Sequence, residues 1–500
     1  MIGTDRLVWD GPVVSGDLGA LRKALDNLGY RSEAIRSMLN INEELPARDT
    51  DLVVHQRRLS RSPGALADVI AIFTLGFPVP VERLTTALGA GAVDELVESG
   101  ALRIEDDQAI ATVRLVAHGE LWIAADARPQ NHAAADPLHV TGINAPAGLL
   151  AALTVRGEVD TMLDLGTGNG IQALLAARHA RHVVATDINP RAIGFARFNA
   201  ALNGISGIDF RIGSLFEPVA GERFDRIVTN PPYVISPDND YVYRDSGSAP
   251  AAMCRTIAGE IPAHLTPGGY ATLLASWPTA RESDWSEMPV SWLSPDVDAW
   301  LLHYRTEDPL THAAKWNQPA AEVGADAYAA AIDRWTEFDD EAGIDEIAFG
   351  ALILRGRDDH DGQVIGRDRL RVGPGSASAQ IQRVFAAHDA TRTGADIRTL
   401  RLRPAPGHRL DQRMQFLDGA WQLTSATFST SEGIDLPISV DAVLVQAIAA
   451  LDGTRTVDDA ATAAAAACGL GSDDVEALAD LVAHLVKELY RLGMLEAVEC

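Results

Sequence analysis

Short apolar runs alternate with helical stretches through the central part of the chain. Each run is bounded by glycine, proline or polar positions, which is typical of strands buried on both faces of a parallel sheet. The runs cover residues 161–165, 182–186, 208–212, 225–229, 271–275, 299–304 and 346–354. Helices are predicted between several of them, as at residues 171–179 and after Pro190. This alternation predicts an α/β fold with a Rossmann-like sheet.

Residues 1–130 are predicted to form a separate domain ahead of this sheet. Apolar residues recur there at helical spacing in residues 19–39, 64–75, 81–88 and 93–98. Alternating apolar positions then flank a polar turn at residues 105–108, which predicts a hairpin. Helices followed by a hairpin resemble a winged helix. Such a domain either recognises RNA or protein, or serves only to pack against the rest of the chain.

The central domain is predicted to span residues 136–360 and to contain a Trp- and Ala-rich helical insert at about residues 309–343. Residues 375–500 are then expected to form a mostly helical α+β accessory domain, similar to a second winged-helix module. Its helices are predicted at residues 440–451, 460–467 and 473–492.

The composition is that of a folded protein in a reducing compartment. The 500 residues are 47% apolar and 22% charged, and this length allows about three domains. No apolar run reaches the length of a membrane span, and the N-terminus lacks the features of a signal peptide. Cys254, Cys468 and Cys500 are too far apart for a disulfide framework or a zinc site. We therefore expect a cytoplasmic protein with no membrane partner and no metal.

The net charge of −27 disfavours a protein that coats nucleic acid by bulk electrostatics. Residues 355–413 depart from this balance, with 12 Arg against 7 acidic residues. Arg401 and Arg403 alternate with leucines and would share one face of a strand, with Arg398 nearby. This basic strip would either meet RNA phosphates or neutralise the acidic remainder of the chain, and we favour neutralisation.

A glycine-rich turn follows the first predicted strand. Asp164 lies in that strand, and the turn reads Gly166-Thr167-Gly168-Asn169-Gly170 before a helix begins. Glycines let the backbone approach a ligand, and a helix N-terminus favours polar or anionic groups. The spacing Gly-x-Gly-x-Gly differs from the Gly-x-Gly-x-x-Gly of dinucleotide-binding enzymes, since position 171 is Ile. A nicotinamide dehydrogenase is therefore a weak alternative.

Asp187 ends the second predicted strand, 23 residues after Asp164. A carboxylate at this position of a Rossmann-like fold can accept hydrogen bonds from both ribose hydroxyls. The alternative is that Asp187 caps the following helix. Asn189 is better placed for a cap, because it directly precedes Pro190 at the first helical position.

The tetrapeptide Asn230-Pro231-Pro232-Tyr233 follows the fourth predicted strand. The prolines end the strand, so Asn230 lies at its carboxyl end, where open α/β sheets bind ligands. An amide oxygen, free proline carbonyls and an aromatic ring can together hold a flat –NH2 group. The alternative is a plain strand-to-turn transition.

These motifs resemble those of the small-domain, class I S-adenosylmethionine-dependent methyltransferases that act on ribosomal RNA bases and on release-factor glutamine. The resemblance implies a seven-stranded sheet whose last strand runs antiparallel beside the fifth. It implies S-adenosyl-L-methionine as cofactor and Asn230, Pro231, Pro232 and Tyr233 as catalytic residues. It implies that the cofactor is held by Asp164, Gly166, Thr167, Gly168, Gly170, Asp187, Ile188, Ser214, Leu215 and Asn230. The family often has Asp or Asn where Ser214 stands, which weakens that one assignment.

The acceptor is expected to be a planar amino nitrogen in the translation machinery. It would be either a glutamine amide of a protein or an exocyclic amine of a ribosomal or transfer RNA base, and the residues leave this choice open. Arg244 and Asp245 are candidates for substrate contacts, with a surface ion pair as the alternative. A non-catalytic scaffold with a methyltransferase-like fold is the alternative from another class.

Overall fold

The computed structural model describes residues 11–14, 16–41, 51–127, 136–238, 244, 249–370, 375–469 and 472–498. The N-terminal elements are α1 (Gly19–Asn27), α2 (Ser32–Leu39), α3 (Leu52–Arg61), α4 (Ala65–Val69), a π-helical turn (Ile70–Thr74), β1 (Val79–Pro80), α5 (Val81–Leu88), α6 (Ala90–Glu98), β2 (Leu102–Glu105), β3 (Gln108–Ala111), β4 (Val113–His118) and β5 (Leu121–Asp126). The central elements are α7 (Ala145–Leu153), β6 (Val159–Leu165), α8 (Ile171–Ala176), β7 (Ala180–Asp187), α9 (Pro190–Leu202), β8 (Ile208–Ile212), a 3-10 turn (Glu217–Val219), β9 (Phe224–Thr229), α10 (Ala252–His264), β10 (Leu265–Thr279), α11 (Glu287–Val290), β11 (Val297–Glu307), α12 (Pro309–Trp316), α13 (Gln318–Val323), α14 (Ala325–Ala342), β12 (Glu346–Gly356) and β13 (Val364–Arg369). The C-terminal elements are α15 (Ser378–Arg392), a 3-10 turn (Ile397–Thr399), β14 (Leu402–Pro404), β15 (His408–Leu417), β16 (Ala420–Thr430), β17 (Ile438–Val440), α16 (Ala442–Ala450), α17 (Val457–Ala467), α18 (Ser472–Arg491) and β18 (Leu495–Ala497).

The central sheet has the strand order β13-β11-β12-β10-β9-β6-β7-β8 within the described residues. Strands β6 to β10 pair in parallel, and β12 runs antiparallel between β10 and β11. The predicted α/β fold and the antiparallel strand beside the fifth are therefore confirmed. The sequence did not predict β13, because this edge strand is mostly polar and only half-buried.

The carboxyl ends of β7, β6 and β9 lie side by side in the middle of this sheet. Leu165 at the end of β6 pairs with Thr186 of β7 on one side and with Thr229 of β9 on the other. Neighbouring strands are about 4.8 Å apart, so the loops after these strands must be close to each other. The sheet therefore places the glycine turn between Asp187 and Asn230.

The N-terminal part contains helices followed by a hairpin, in the order that the sequence predicts; that this is a winged helix remains a prediction. Helix α4 leads into β1, α5 and α6, and β2 and β3 form the hairpin, with β1 pairing β3. Two details differ from the prediction. The run at residues 19–39 is two helices, and α3 was not predicted, although its inward-facing positions Leu52, His55 and Leu59 recur at helical spacing.

Helix α6, which directly precedes the hairpin, is acidic and packs against α1. Its Glu95 side chain accepts hydrogen bonds from the backbone N–H groups of Ala20 (3.0 Å) and Leu21 (2.8 Å) at the start of α1. Two further acids, Asp94 and Glu98, lie in α6, which has no basic residue. Such a helix is poorly suited to nucleic-acid phosphates.

Asn199 in the middle of α9 joins the N-terminal part to the central sheet. Its fully buried amide donates to the carbonyls of Ala124 (2.9 Å) and Asn169 (2.8 Å) and accepts from Ala124 N (2.7 Å). Ala124 lies in β5 and Asn169 in the glycine turn. The same face of α9 buries Phe195 and Phe198 in the N-terminal apolar core.

The C-terminal part is attached to the edge strand β13. Arg491 of α18 donates two 2.9 Å hydrogen bonds to Asp368, which also accepts from the Trp300 indole at 2.7 Å.

The basic strip that the sequence predicts in this part is paired with acids: Arg398 with Asp458 and Asp480, and Arg403 with Glu496. These pairs agree with neutralisation rather than with an open basic surface. Strand β14 begins after Arg401, which forms only an isolated bridge to Thr456, so the predicted Arg401–Arg403 strand face is shorter than expected.

None of the helices in the described ranges has both the length and the apolar character that crossing a bilayer requires.

Candidate functional site

The glycine turn after β6 has the conformation that only glycine adopts without strain. Gly166, Gly168 and Gly170 have φ of 74°, 57° and 87°. A Cβ built on Gly166 or Gly168 would meet no atom within 4 Å, so the backbone there faces open space. At Gly170 it would lie 2.9 Å from the Cβ of Ala196 in α9. Gly170 thus allows α9 to pack closely, whereas the other two leave room for a ligand.

Asp164 holds the turn from below. Its Oδ2 accepts hydrogen bonds from the Thr167 hydroxyl (2.6 Å) and from Ala173 N in α8 (3.0 Å). Burial raises the pKa of this carboxyl to about 7, although the two hydrogen bonds act in the opposite direction. The side chain is only 2% exposed. Asp164 therefore shapes the turn and can carry a proton near neutral pH.

Replacing Asp164 with Asn should change how stability depends on pH. The folded-state pKa of about 7 lies above the ordinary value of 3.8, so the ionised carboxyl destabilises the fold. That cost is absent below the unfolded pKa, grows as pH rises and is complete above the folded pKa. We expect the free energy of unfolding of Asp164→Asn, relative to wild type, to increase from about pH 4 to about pH 7. Urea titrations without cofactor across this range would measure it.

Asp225→Asn is the matched control, since hydrogen bonds from Thr161 and Thr266 outweigh burial and lower the pKa of Asp225. Its carboxylate stabilises the fold above the unfolded pKa, and this contribution is lost as pH falls. Relative to wild type, the free energy of unfolding should therefore increase with pH for Asp164→Asn and decrease with pH for Asp225→Asn. A constant difference between Asp164→Asn and wild type across the range would contradict the assigned pKa.

Asp187 lies at the end of β7 and also supports the turn. Its two carboxylate oxygens accept from Gly168 N and Asn189 N, both at 2.9 Å. Burial raises its pKa, against these hydrogen bonds. The side chain is partly exposed, and each oxygen has a second lone pair for a ligand hydroxyl. The helix cap is Asn189, whose Oδ1 accepts from Arg191 N at 3.0 Å, as the sequence predicted.

Three further predicted cofactor residues lie at the same edge. Ile188 is 56% exposed directly after Asp187, which is unusual for an apolar side chain beside a sheet. Ser214 and Leu215 follow β8, whose Ile212 pairs with Asp187. Leu215 has a φ of 46°, a strained conformation for a residue with a side chain, and is half-buried. The fold thus collects these side chains next to Asp187.

Asn230 lies across the glycine turn from Asp187. Its Oδ1 is buried and has no hydrogen-bond partner among the residues that the structure describes. Leaving a buried acceptor unpaired costs about 1–3 kcal/mol, so such an atom usually serves a ligand. The Thr229 hydroxyl just before it is also buried and unpaired within those residues. The edge of β9 therefore presents polar atoms that the described protein does not satisfy.

Pro231 and Pro232 turn the chain so that Tyr233 packs into the wall of the site. The backbone carbonyl of Tyr233 accepts a hydrogen bond from the Ser276 hydroxyl in β10. Its phenol interacts with Tyr304 of β11, and its ring meets Phe349 edge-on at 6.5 Å. Burial holds the pKa of Tyr233 well above its usual value. Tyr233 is thus fixed in place, and its stacking on an acceptor remains a prediction.

The predicted helical insert is present as α12 to α14 and packs directly on the chain after Tyr233. His312 of α12 is fully buried, with Nε2 3.1 Å from the carbonyl oxygen of Ile235 and Nδ1 3.4 Å from Glu307. Asp238 accepts from Arg334 at 2.9 Å and from the Trp335 indole at 2.8 Å, both in α14. The insert therefore fixes the loop that carries the candidate acceptor residues.

Of the two candidate substrate contacts, Arg244 is described and Asp245 lies outside the described residues. The Arg244 side chain is buried, 3.8 Å from Asp238 and 6.0 Å from the centroid of the Trp335 ring. It therefore faces the insert. A contact between Arg244 and a substrate remains a prediction.

Several residues of this region were not singled out from the sequence. Asn169 is buried, donates to Thr141 O at 3.0 Å and accepts from Ile171 N at 3.1 Å. His312 is likewise buried in the insert. The sequence signal that could have identified such residues is a polar residue inside an otherwise apolar helix or turn, as at Asn199. The described residues contain no group of His, Cys, Asp and Glu suited to a metal ion.

A depression of about 420 Å³ lies at the opposite edge of the sheet, near Asp160, Asp225 and Gly268. It is formed at the amino ends of the strands. Ligands of open parallel sheets bind outside the carboxyl ends, so we place the functional site at the glycine turn instead.

The fold and these loops define a class I methyltransferase-type domain. Residues 144–260 match the family described as methyltransferase small domain, and residues 27–112 match a domain of unknown function, DUF7059. The central domain is thus similar to the methyltransferase small domain, in agreement with the S-adenosylmethionine-dependent type that the sequence motifs indicate. The match covers the glycine turn, Asp187 and the Asn-Pro-Pro-Tyr segment.

Curated relatives of this domain modify glutamine. The release factor glutamine methyltransferase of Xylella fastidiosa (strain Temecula1 / ATCC 700964) is 39% identical over 126 residues, 23% of this chain and 46% of the relative. The ribosomal protein uL3 glutamine methyltransferase of Bradyrhizobium diazoefficiens is 34% identical over 155 residues, 28% of this chain and 48% of the relative. This chain spans about half the length of the curated relatives it matches.

The residues at the carboxyl edge fit S-adenosyl-L-methionine. Gly166 and Gly168 expose their backbone to open space, where a Cβ would otherwise project. Asp187 retains lone pairs that would suit ribose hydroxyls, and the exposed apolar side chain of Ile188 would suit an adenine face. Polar donors and acceptors thus lie beside an apolar surface, as the cofactor's own structure requires.

Proposed function

We propose that this protein methylates a planar amino nitrogen, and that this nitrogen is the side-chain amide of glutamine in a basic protein of the translation machinery. The observation that carries the proposal is the buried Oδ1 of Asn230 beside the glycine turn, which has no hydrogen-bond partner among the described residues. The part of the chain that the structure describes offers this amide oxygen no donor, and an acceptor –NH2 group would supply one.

Asn230 and the proline carbonyls orient the acceptor. Asn230 Oδ1 accepts from one N–H of the acceptor, and the carbonyl of Pro231 or Pro232 accepts from the other. Two such bonds fix the plane of the amide and direct its nitrogen towards the cofactor side, which lowers the entropic part of the barrier. They also stabilise the positive charge that develops on nitrogen.

The bound sulfonium supplies an activated methyl group, so the reaction requires neither a metal nor a covalent enzyme intermediate. The acceptor nitrogen forms the new N–C bond as the S–C bond breaks, and the sulfur keeps the bonding pair as a thioether. The nitrogen then releases one proton to solvent. The fixed wall of Tyr233, Tyr304 and Phe349 supports the acceptor side of the site during this step.

Charge favours a protein acceptor over RNA. Residues 318–346, which belong mainly to the insert, contain nine acidic residues and one Arg. The insert contacts the loop after Tyr233, so an RNA backbone brought to the site would meet like charge. Helix α6 is acidic as well, and the Arg strip is paired with acids. Relatives named as glutamine methyltransferases of a release factor and of ribosomal protein uL3 support the same choice.

The acceptor class can be tested with tritiated S-adenosylmethionine. We expect the purified protein to label a lysate from cells that lack its gene, with the label removed by protease and resistant to RNase. Strong acid should release it as methylamine, because hydrolysis of an N-methylated amide yields that product. Label that is sensitive to RNase would replace glutamine by an RNA base. Label that resists both enzymes would indicate a small-molecule acceptor, and calorimetry that detects no cofactor binding would favour a scaffold.

A further inference from the structure

The C-terminal part carries a long hairpin, formed by β15 and β16, that is exposed along its whole outer strand. Every residue of β15 is exposed. Strand β16 pairs with β15 on one side and with β17 on the other, so β15 is the free edge of this sheet within the described residues. An exposed edge strand presents a row of unpaired N–H and C=O groups, which natural proteins normally protect.

The tip of the hairpin is also apolar. Met414, Phe416 and Trp421 are 47%, 58% and 67% exposed, and the last two rings meet edge-on at 5.5 Å. Pairing across the hairpin places these side chains on one face, together with Leu410 nearer the base. Exposed aromatic residues at the tip of a hairpin are typical of an interface.

We propose that β15 pairs in antiparallel fashion with β15 of a second copy of this chain. Gln412 then lies opposite the second copy's Gln412, and the two-fold axis passes between these two residues; we call this the axis through Gln412. A two-fold axis perpendicular to the sheet must lie midway between two copies of the same residue, because directly opposite residues of an antiparallel pair project to the same face of the sheet. An axis through Asp411 or Arg413 would set like charges directly opposite each other, which is destabilising.

The axis through Gln412 gives complementary partners at every neighbouring position. It places Asp411 opposite the second copy's Arg413, and Leu410 opposite its Met414. The Arg409–Asp411 ion pair within one chain is exposed and can exchange partners at little cost. Charge and apolar pattern thus select one register out of the three near the middle of the strand.

The same register covers the tip. It sets Phe416 of one copy opposite His408 at the base of the other, where His408 stacks on the buried Phe428 at 6.1 Å. Phe428 and Ala426 show that this face is directed towards the body of the protein at the hairpin base. Each exposed tip would therefore pack against the partner's base, and the pairing closes as a dimer instead of growing into a filament.

Cysteine cross-linking tests the register directly. In a full-length chain with Cys468→Ser and Cys500→Ser, the remaining Cys254 is buried. Adding Gln412→Cys places two thiols opposite each other at the axis, within about 4.5–5.5 Å between Cβ atoms. We expect mild oxidation to give a covalent dimer on a non-reducing gel. Gln422→Cys, equally exposed but on the inner strand β16, is the matched control and should remain monomeric.

Charge reversal tests the pairing independently. Asp411→Arg or Arg413→Asp alone should weaken dimerisation about tenfold in sedimentation experiments, because each creates two like-charged pairs. The double variant should restore it. Both positions are exposed, so the variants should fold normally. Circular dichroism can verify this. A protein that sediments as a monomer at all concentrations would overturn the proposal and leave the hairpin to a different partner. Equal cross-linking at Gln422, or a double variant that fails to recover, would also overturn it.

Discussion

Asn230→Ala should abolish methyl transfer while leaving cofactor binding near normal. The variant removes the Oδ1 that we assign to the acceptor –NH2 group and that no described residue satisfies, but it leaves the glycine turn and Asp187 intact. Loss of one transition-state hydrogen bond of this kind typically lowers kcat by about 10²–10³-fold. Transfer of tritiated methyl to the protein acceptor and calorimetry with S-adenosylmethionine would measure the two effects separately.

Asn203→Ala is a suitable comparison for Asn230→Ala. The Asn203 amide joins α9 to β5 through the backbone of Trp122, at 2.9 Å and 2.7 Å, and lies outside the acceptor edge. Its removal should lower the free energy of unfolding by about 1–3 kcal/mol and leave the folded enzyme active. Substantial turnover in Asn230→Ala, or equal inactivity in both variants, would refute the acceptor role of Asn230.

Asp187→Ala should weaken cofactor binding by about a hundredfold, which corresponds to about 3 kcal/mol. The loss has two sources. The ribose hydroxyls lose a charged acceptor, and Gly168 N and Asn189 N lose the carboxylate that shapes the turn. Calorimetric titration with S-adenosylmethionine would give the dissociation constant, and urea unfolding would show how much of the effect comes from the loosened turn.

The comparison for Asp187 is Asp209→Ala, at a partly exposed carboxylate in the neighbouring strand β8. Asp209 pairs with Arg211 and does not touch the glycine turn, so its removal should leave the dissociation constant unchanged within about twofold. An unaltered affinity in Asp187→Ala would mean that the carboxylate serves the loop alone. Ribose recognition would then have to come from other residues at this edge.

The central fold follows from the sequence because its strands are buried on both faces. Apolar runs such as the one ending at Leu165, each followed by a glycine or proline turn, have few alternatives to a parallel sheet. The polar edge strand β13 lacks this signal, and it is held instead by contacts of Asp368 with distant residues.

The candidate site was predicted in part. The motifs that end β6, β7 and β9 could be placed together because parallel strands bring their carboxyl ends to one edge. The wall around Tyr233 could not, since Tyr304 and Phe349 reach it from strands far along the chain. Nor could the contact of His312 with Ile235, which depends on how the insert folds back. Long-range side-chain contacts leave no periodic trace in a sequence.

The amide of Asn199 links the glycine turn to β5, which lies outside the methyltransferase fold, and so restrains the motion of the turn. One side chain bonds both β5 and Asn169 of the glycine turn, while Phe195 and Phe198 on the same helix anchor in the N-terminal core. Motion in the N-terminal part would therefore be transmitted to the backbone of the glycine turn, where we expect the cofactor to bind. A partner that binds the N-terminal part could therefore change the position of the glycine turn, and with it the rate of methyl transfer, through the hydrogen bonds of Asn199.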